Sequence, residues 1–130
     1  MKRWFFVLGS MLMLATSAQA QEQKKEKPKS GGANLITQAE IEYANVNTAH
    51  EAIQRLRPRM LQRRMGTPTD KGEQSELLVY VDEARYGSVD QLASISASTI
   101  KEIRFFSPAD ATTKWGTGHA EGVIQVIMKK

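Results

Sequence analysis

How much chain is left to fold is decided at the N-terminus. Lys2 and Arg3 are followed by an apolar run from Trp4 to Ala15, broken only by Gly9 and Ser10, and then by Ala18-Gln19-Ala20. A basic start, a short apolar run and a small-x-small triplet read as an export signal, residues 1–20, cut between Ala20 and Gln21. The run is shorter than the ~20 residues a spanning helix needs, which weighs against the alternative of an uncleaved anchor. Of 130 residues, about 110 then remain, enough for one hydrophobic core and not two. A multidomain enzyme and a transmembrane β-barrel both require more chain than this. The sequence has no cysteine, so the core must hold without a disulfide and no lipid can be attached through a thiol. The expected location is the periplasm, with association with the outer membrane left open.

Charge is unevenly placed. The formal net charge is +4, but Lys2 and Arg3 leave with the signal. The rest of the excess lies in Lys24, Lys25, Lys27 and Lys29, set against Glu22 and Glu26. From Ala33 to Lys130, twelve basic residues meet twelve acidic ones, so no nucleic-acid partner is expected. Residues 21–32, which end in Pro28, Ser30, Gly31 and Gly32, read as a flexible basic linker that can touch an anionic membrane through Lys24–Lys29. One cluster stands out in the balanced part: Arg55, Arg57, Arg59, Arg63 and Arg64. It reads either as a solvated helix face or as an anion site, with Arg63 and Arg64 as candidate partner-binding residues.

Residues 33–130 read as one α+β domain, a short mixed sheet covered by short helices on one side. Thr37 with Glu40, and Thr48 with Glu51, have the spacing of capping boxes that open helices. In the second helix Ala49, Ile53, Leu56 and Met60 form one apolar stripe, and Pro58 should end or bend it near Arg57. Gly66 to Ser75 reads as a loop. Leu77 to Val81 reads as a buried strand with Asp82 and Glu83 turning after it. Ser88 is placed as the cap of a helical turn reaching Leu92, with Ser96, Ser98 and Thr99 as further caps. Ile100 to Phe106 alternates as a half-buried strand. Ser107-Pro108-Ala109-Asp110 starts a helix that stops near Gly116, and Val123 to Met128 is a last strand. Gly116, Gly118 and Gly122 are the expected turn positions between these two.

From Leu78 onward the chain resembles the plug domain of TonB-dependent outer-membrane receptors. Val79-Tyr80-Val81-Asp82, Ile100-Lys101-Glu102-Ile103, Ser107-Pro108-Ala109-Asp110, Lys114-Trp115-Gly116 and Ala120-Glu121-Gly122-Val123-Ile124-Gln125-Val126 match pieces of that pattern in order, and Ile36-Thr37-Gln38-Ala39-Glu40-Ile41 is similar to its early segment. Glu121 and Ser107 stand where plugs carry glycine, and the lysine-rich linker has no clear TonB-interacting box. The resemblance implies a small plug-like fold. The expectation is a plug without its barrel, which cannot transport alone and keeps the habit of binding proteins or ligands at the envelope.

Three functions follow as expectations. The first is a non-enzymatic adaptor that binds an envelope protein, an outer-membrane barrel among the candidates. The second is a small-ligand binder for a glycan, siderophore or similar molecule, resting on the aromatic residues Tyr80, Tyr86, Phe106 and Trp115, with Tyr86 and Trp115 as the two to inspect and His119 as a further candidate contact. The third and weakest is a metal-dependent hydrolase. Only His50 and His119 exist to bind a metal, joined by carboxylates such as Glu121 and Asp110, so no metal site, catalytic residue or cofactor is assigned.

Overall fold

The computed structural model describes residues 26–62 and 76–130. Five strands form one open sheet: β1 (Leu35–Thr37), β2 (Leu78–Val81), β3 (Ala84–Ser88), β4 (Ile100–Phe106) and β5 (Val123–Met128), in the order β1-β4-β5-β2-β3. β5 runs parallel to β2 and antiparallel to β4, while β1 and β3 are antiparallel edges on β4 and β2. The domain is the expected α+β class with a mixed sheet.

Three short α-helices pack on the sheet: α1 (Gln38–Ala44), α2 (Ala49–Leu56) and α3 (Pro108–Trp115). The capping box that opens α1 is formed in both directions between Thr37 and Glu40. At α2, Thr48 accepts from the Glu51 N–H, but the Glu51 carboxylate takes the Asn47 N–H instead of that of Thr48. Pro58 lacks the N–H that would continue α2, so the chain tightens into a 3-10 helix, Pro58–Leu61, and the apolar stripe continues into it through Met60. Ser107 caps α3 and Pro108 fills its first position.

Strand alternation sends side chains to two faces, and both are covered. Ile36, Val79, Ile103, Ile124 and Val126 point to one face, where Ile41 of α1, Ala49, Ala52 and Ile53 of α2, and Leu92 close the main core. Leu78, Tyr80 and Val123 point to the other, where α3 lays down Ala111 and Trp115. The expectation of helices on one side is therefore corrected. The Gly116 turn reverses the chain after α3, which leaves that helix on the face opposite α1 and α2.

Other differences have local causes. β3 carries the exposed residues Ala84, Arg85 and Tyr86, and it pairs at the edge without any apolar alternation to announce it. Ser88 and Ser96 stand before 3-10 helices, Val89–Ser94 and Ala97–Thr99, but neither makes a side-chain cap bond. Ile100 and Ile103 are both fully buried although three residues apart, because the β4–β5 register shifts between Ile100 and Glu102. The loop expected over Gly66 to Ser75 lies outside the described residues.

The end of the segment read as a linker is held by the domain. Arg57 donates to the Gly32 carbonyl at 2.8 Å, to Ser30 Oγ at 2.7 Å and to Glu40 Oε1 at 2.7 Å. Glu40 Oε2 accepts from the backbone N–H groups of Thr37 at 2.9 Å and Gly31 at 3.4 Å. Burial alone would raise the Glu40 carboxyl, but the Thr37 N–H, the Arg57 guanidinium and the Gly31 N–H together hold it below the usual glutamate value. A lowered folded-state pKa contributes stability that is present above the unfolded value and lost as pH falls through the folded one. The denaturation midpoint of the protein should therefore drop on acidification below about pH 4.5, and Glu40→Gln should flatten that part of the profile. Arg57→Ala should cost on the order of 2 kcal/mol at neutral pH in urea unfolding, because it strands a buried carboxylate. A loss within error of zero would contradict this reading.

Candidate functional site

The second sheet face carries the site. β2 alternation turns Tyr80 toward α3, and its ring lies 4.6 Å from that of Trp115, the last residue of that helix. Phe106 of β4 meets Trp115 edge-on at 5.1 Å. Lys114 Nζ sits 4.5 Å from the Trp115 ring and 5.0 Å from that of Phe106, and also reaches Glu83 at 3.4 Å and Gln125 at 3.3 Å. The indole is thus braced on several sides, so its remaining surface is presented in a fixed orientation.

His119 follows the glycine turn after α3 and is buried. Its Nδ1 lies 2.8 Å from the Gly116 carbonyl and its Nε2 lies 3.0 Å from the Tyr80 hydroxyl. A carbonyl can only accept, so Nδ1 carries the proton, and in the neutral ring Nε2 accepts from the tyrosine. Both nitrogens are engaged, which makes His119 a structural wall between the turn and β2. Gly122 ends the reversal at φ +91°, so tightly packed that a Cβ there would lie 2.5 Å from the Phe106 carbonyl oxygen. The Gly122 N–H donates back to the His119 carbonyl at 3.0 Å.

These elements enclose a cleft of about 400 Å³. Tyr80, Trp115, Thr117, Gly118 and His119 line it. Glu76 and Arg85 also line it, and neither side chain makes a hydrogen bond or ion pair among the described residues.

Of the residues singled out from the sequence, Trp115 and His119 are brought together here; Gly116 and Gly118 shape the turn between them and Gly122 the one after, each at positive φ. Tyr86 is exposed on β3 with its hydroxyl 3.1 Å from Ser94 Oγ, and it is not part of the cleft. Arg63, Arg64 and Lys24 lie outside the described residues. Of the described members of the arginine cluster, Arg57 turns inward to Glu40, and Arg55 donates to the Ala44 carbonyl at 2.9 Å. Asp110 is bound to Ser107 at the start of α3, and no group of three or more metal-ligating side chains forms among the described residues. Sequence reasoning missed Glu76 and Arg85. Tyr80, one of the aromatic residues behind the small-ligand expectation, is also brought here, as the alternation of β2 puts Leu78 and Tyr80 on one face.

No protein-family model, no curated protein and no solved structure matches this chain.

Two glycine substitutions separate backbone strain from packing. Gly118→Ala meets open space and pays only for its positive φ, about 1 kcal/mol. Gly122→Ala adds the collision with Phe106 and should cost about 2 kcal/mol or more. Chemical denaturation checks the order of the two; equal losses would contradict the close approach.

Proposed function

We propose that the chain is an exported, non-enzymatic plug-like domain that binds a protein partner at the cell envelope. The observation that carries this is the outer edge of β3. No described strand pairs on that side, and Ala84, Arg85 and Tyr86 are all exposed there. Tyr86 and Tyr43 are the exposed large hydrophobic residues among those described. The register shift between Val79 and Tyr80 makes Tyr86 the extra residue of a bulge, a device that re-aims a side chain out of the regular ladder. A free strand edge beside an exposed tyrosine suits an extended segment of a partner: main-chain bonds supply affinity, and the ring supplies an anchor.

The resemblance to receptor plugs supports the same reading, since it concerns a domain that works against a larger protein. An outer-membrane barrel is one candidate partner. The lysines of residues 24–29 would add contact with anionic lipid.

A photo-crosslinking residue in place of Ala84, in intact cells exporting the full chain, tests the proposal. The expected result is one discrete adduct with an envelope protein. The same probe at Thr112 on α3 should give none, and Tyr86→Glu should reduce the Ala84 adduct about tenfold, as loss of an anchor worth more than 1 kcal/mol requires. Equal labelling from both positions, or insensitivity to Tyr86→Glu, would overturn it.

A further inference from the structure

The cleft beneath α3 has a lining that matches one kind of small molecule. Among the described residues that line it, Leu78 is the one aliphatic side chain and the others are polar, charged or aromatic apart from Gly118. Of these described residues, Glu76 and Arg85 carry groups of opposite sign, do not pair with each other and have no other described partner. Lys114, next to Trp115, is held by Glu83, Gln125 and the rings of Phe106 and Trp115. His119 spends both ring nitrogens on Gly116 and Tyr80. The groups left without a described partner in this lining are therefore one carboxylate and one guanidinium, beside Tyr80 and Trp115.

We infer that this cleft binds a small zwitterion, an ammonium group a few bonds away from carboxylate or phosphate oxygens. The ammonium end is met by the Glu76 carboxylate, beside the Tyr80 and Trp115 side chains that line the same space. The anionic end is met by the Arg85 guanidinium, whose planar fork suits carboxylate and phosphate alike. A dianion is opposed by Glu76 and a simple cation by Arg85, so the pair selects for a molecule carrying both charges. The cleft volume of about 400 Å³ lies within the range of small-molecule sites, about 300–1,000 Å³. This site uses the α3 face of the sheet and shares Arg85 with the β3 edge, so it is tested in the absence of a partner.

The test uses the purified mature chain without any partner. The readouts are the Trp115 indole resonance in NMR and its fluorescence. The probes are free γ-aminobutyrate, butyrate and butylammonium, together with phosphatidylethanolamine vesicles set against phosphatidylglycerol vesicles. The expected result is saturable perturbation of Trp115 by γ-aminobutyrate or by phosphatidylethanolamine. Which of the two acts tells a free ligand from a lipid headgroup. Butyrate and butylammonium should each bind at least about tenfold more weakly, because each loses one charge-assisted contact. Arg85→Gln and Glu76→Gln, both at exposed side chains that the fold does not use, should each reduce zwitterion binding by a similar factor. Three results would overturn the inference: no perturbation by any zwitterion, equal binding of the singly charged probes, or unchanged binding by both variants.

Discussion

β5 is the constraint on which the rest of the domain depends. It lies in the middle of the sheet, and Val123, Ile124, Gln125 and Val126 are buried with contacts on both faces. Both neighbours come from distant chain: β4 returns antiparallel through α3 and its turn, whereas β2 lies beside it in parallel. A parallel pair cannot be closed by a hairpin, so everything between β2 and β5 has to fit into one crossover. The buried amide of Gln125 fixes the register. It donates to the Asp82 carbonyl and to Glu83, and it accepts from Lys114. A one-residue slip would leave that amide unsatisfied and would turn the apolar set to the wrong faces.

The two faces of the sheet are built for different ends. The first is a continuous apolar core closed by α1, α2 and the 3-10 helices, with Ile36, Ile53, Leu92, Ile100 and Ile103 fully buried. The Glu40–Arg57 pair fastens residues 30–32 to that side, so the folded body begins earlier than a linker reading allows. Among the described residues, the second is covered by the eight residues of α3 and the turn that follows it. A helix that short cannot seal a five-stranded sheet, and the gap left past Trp115 is the cleft. Functional readings therefore gather on the less covered face and on its β3 edge.

What could be read from the sequence was local. The caps at Thr37, Thr48 and Ser107, the helix end at Pro58 and the turn at Gly116 each depend on residues within a few positions, and each stands where the sequence puts it. The buried runs of β2 and β5 are equally plain. β3 was not legible, because an exposed edge strand with Arg85, Tyr86 and Gly87 needs no apolar alternation. Arg57 was misjudged with its arginine neighbours, since only the fold brings it to Glu40, 17 residues away. The cleft joins Tyr80 to His119 across 39 residues. No spacing rule along the chain announces such a pairing, although Trp115 and His119 were visible as polar-tipped rings beside a glycine turn.

Native-state hydrogen exchange of the purified protein tests the central position of β5 most directly. If β5 is the interior strand that organises the sheet, the amides of Val123–Val126 exchange among the slowest in the chain, together with those of Val79 and Ile103, and open only with global unfolding. The edge strands β1 and β3 exchange faster. Exchange at Val123–Val126 as fast as at Ala84–Tyr86 would contradict the account.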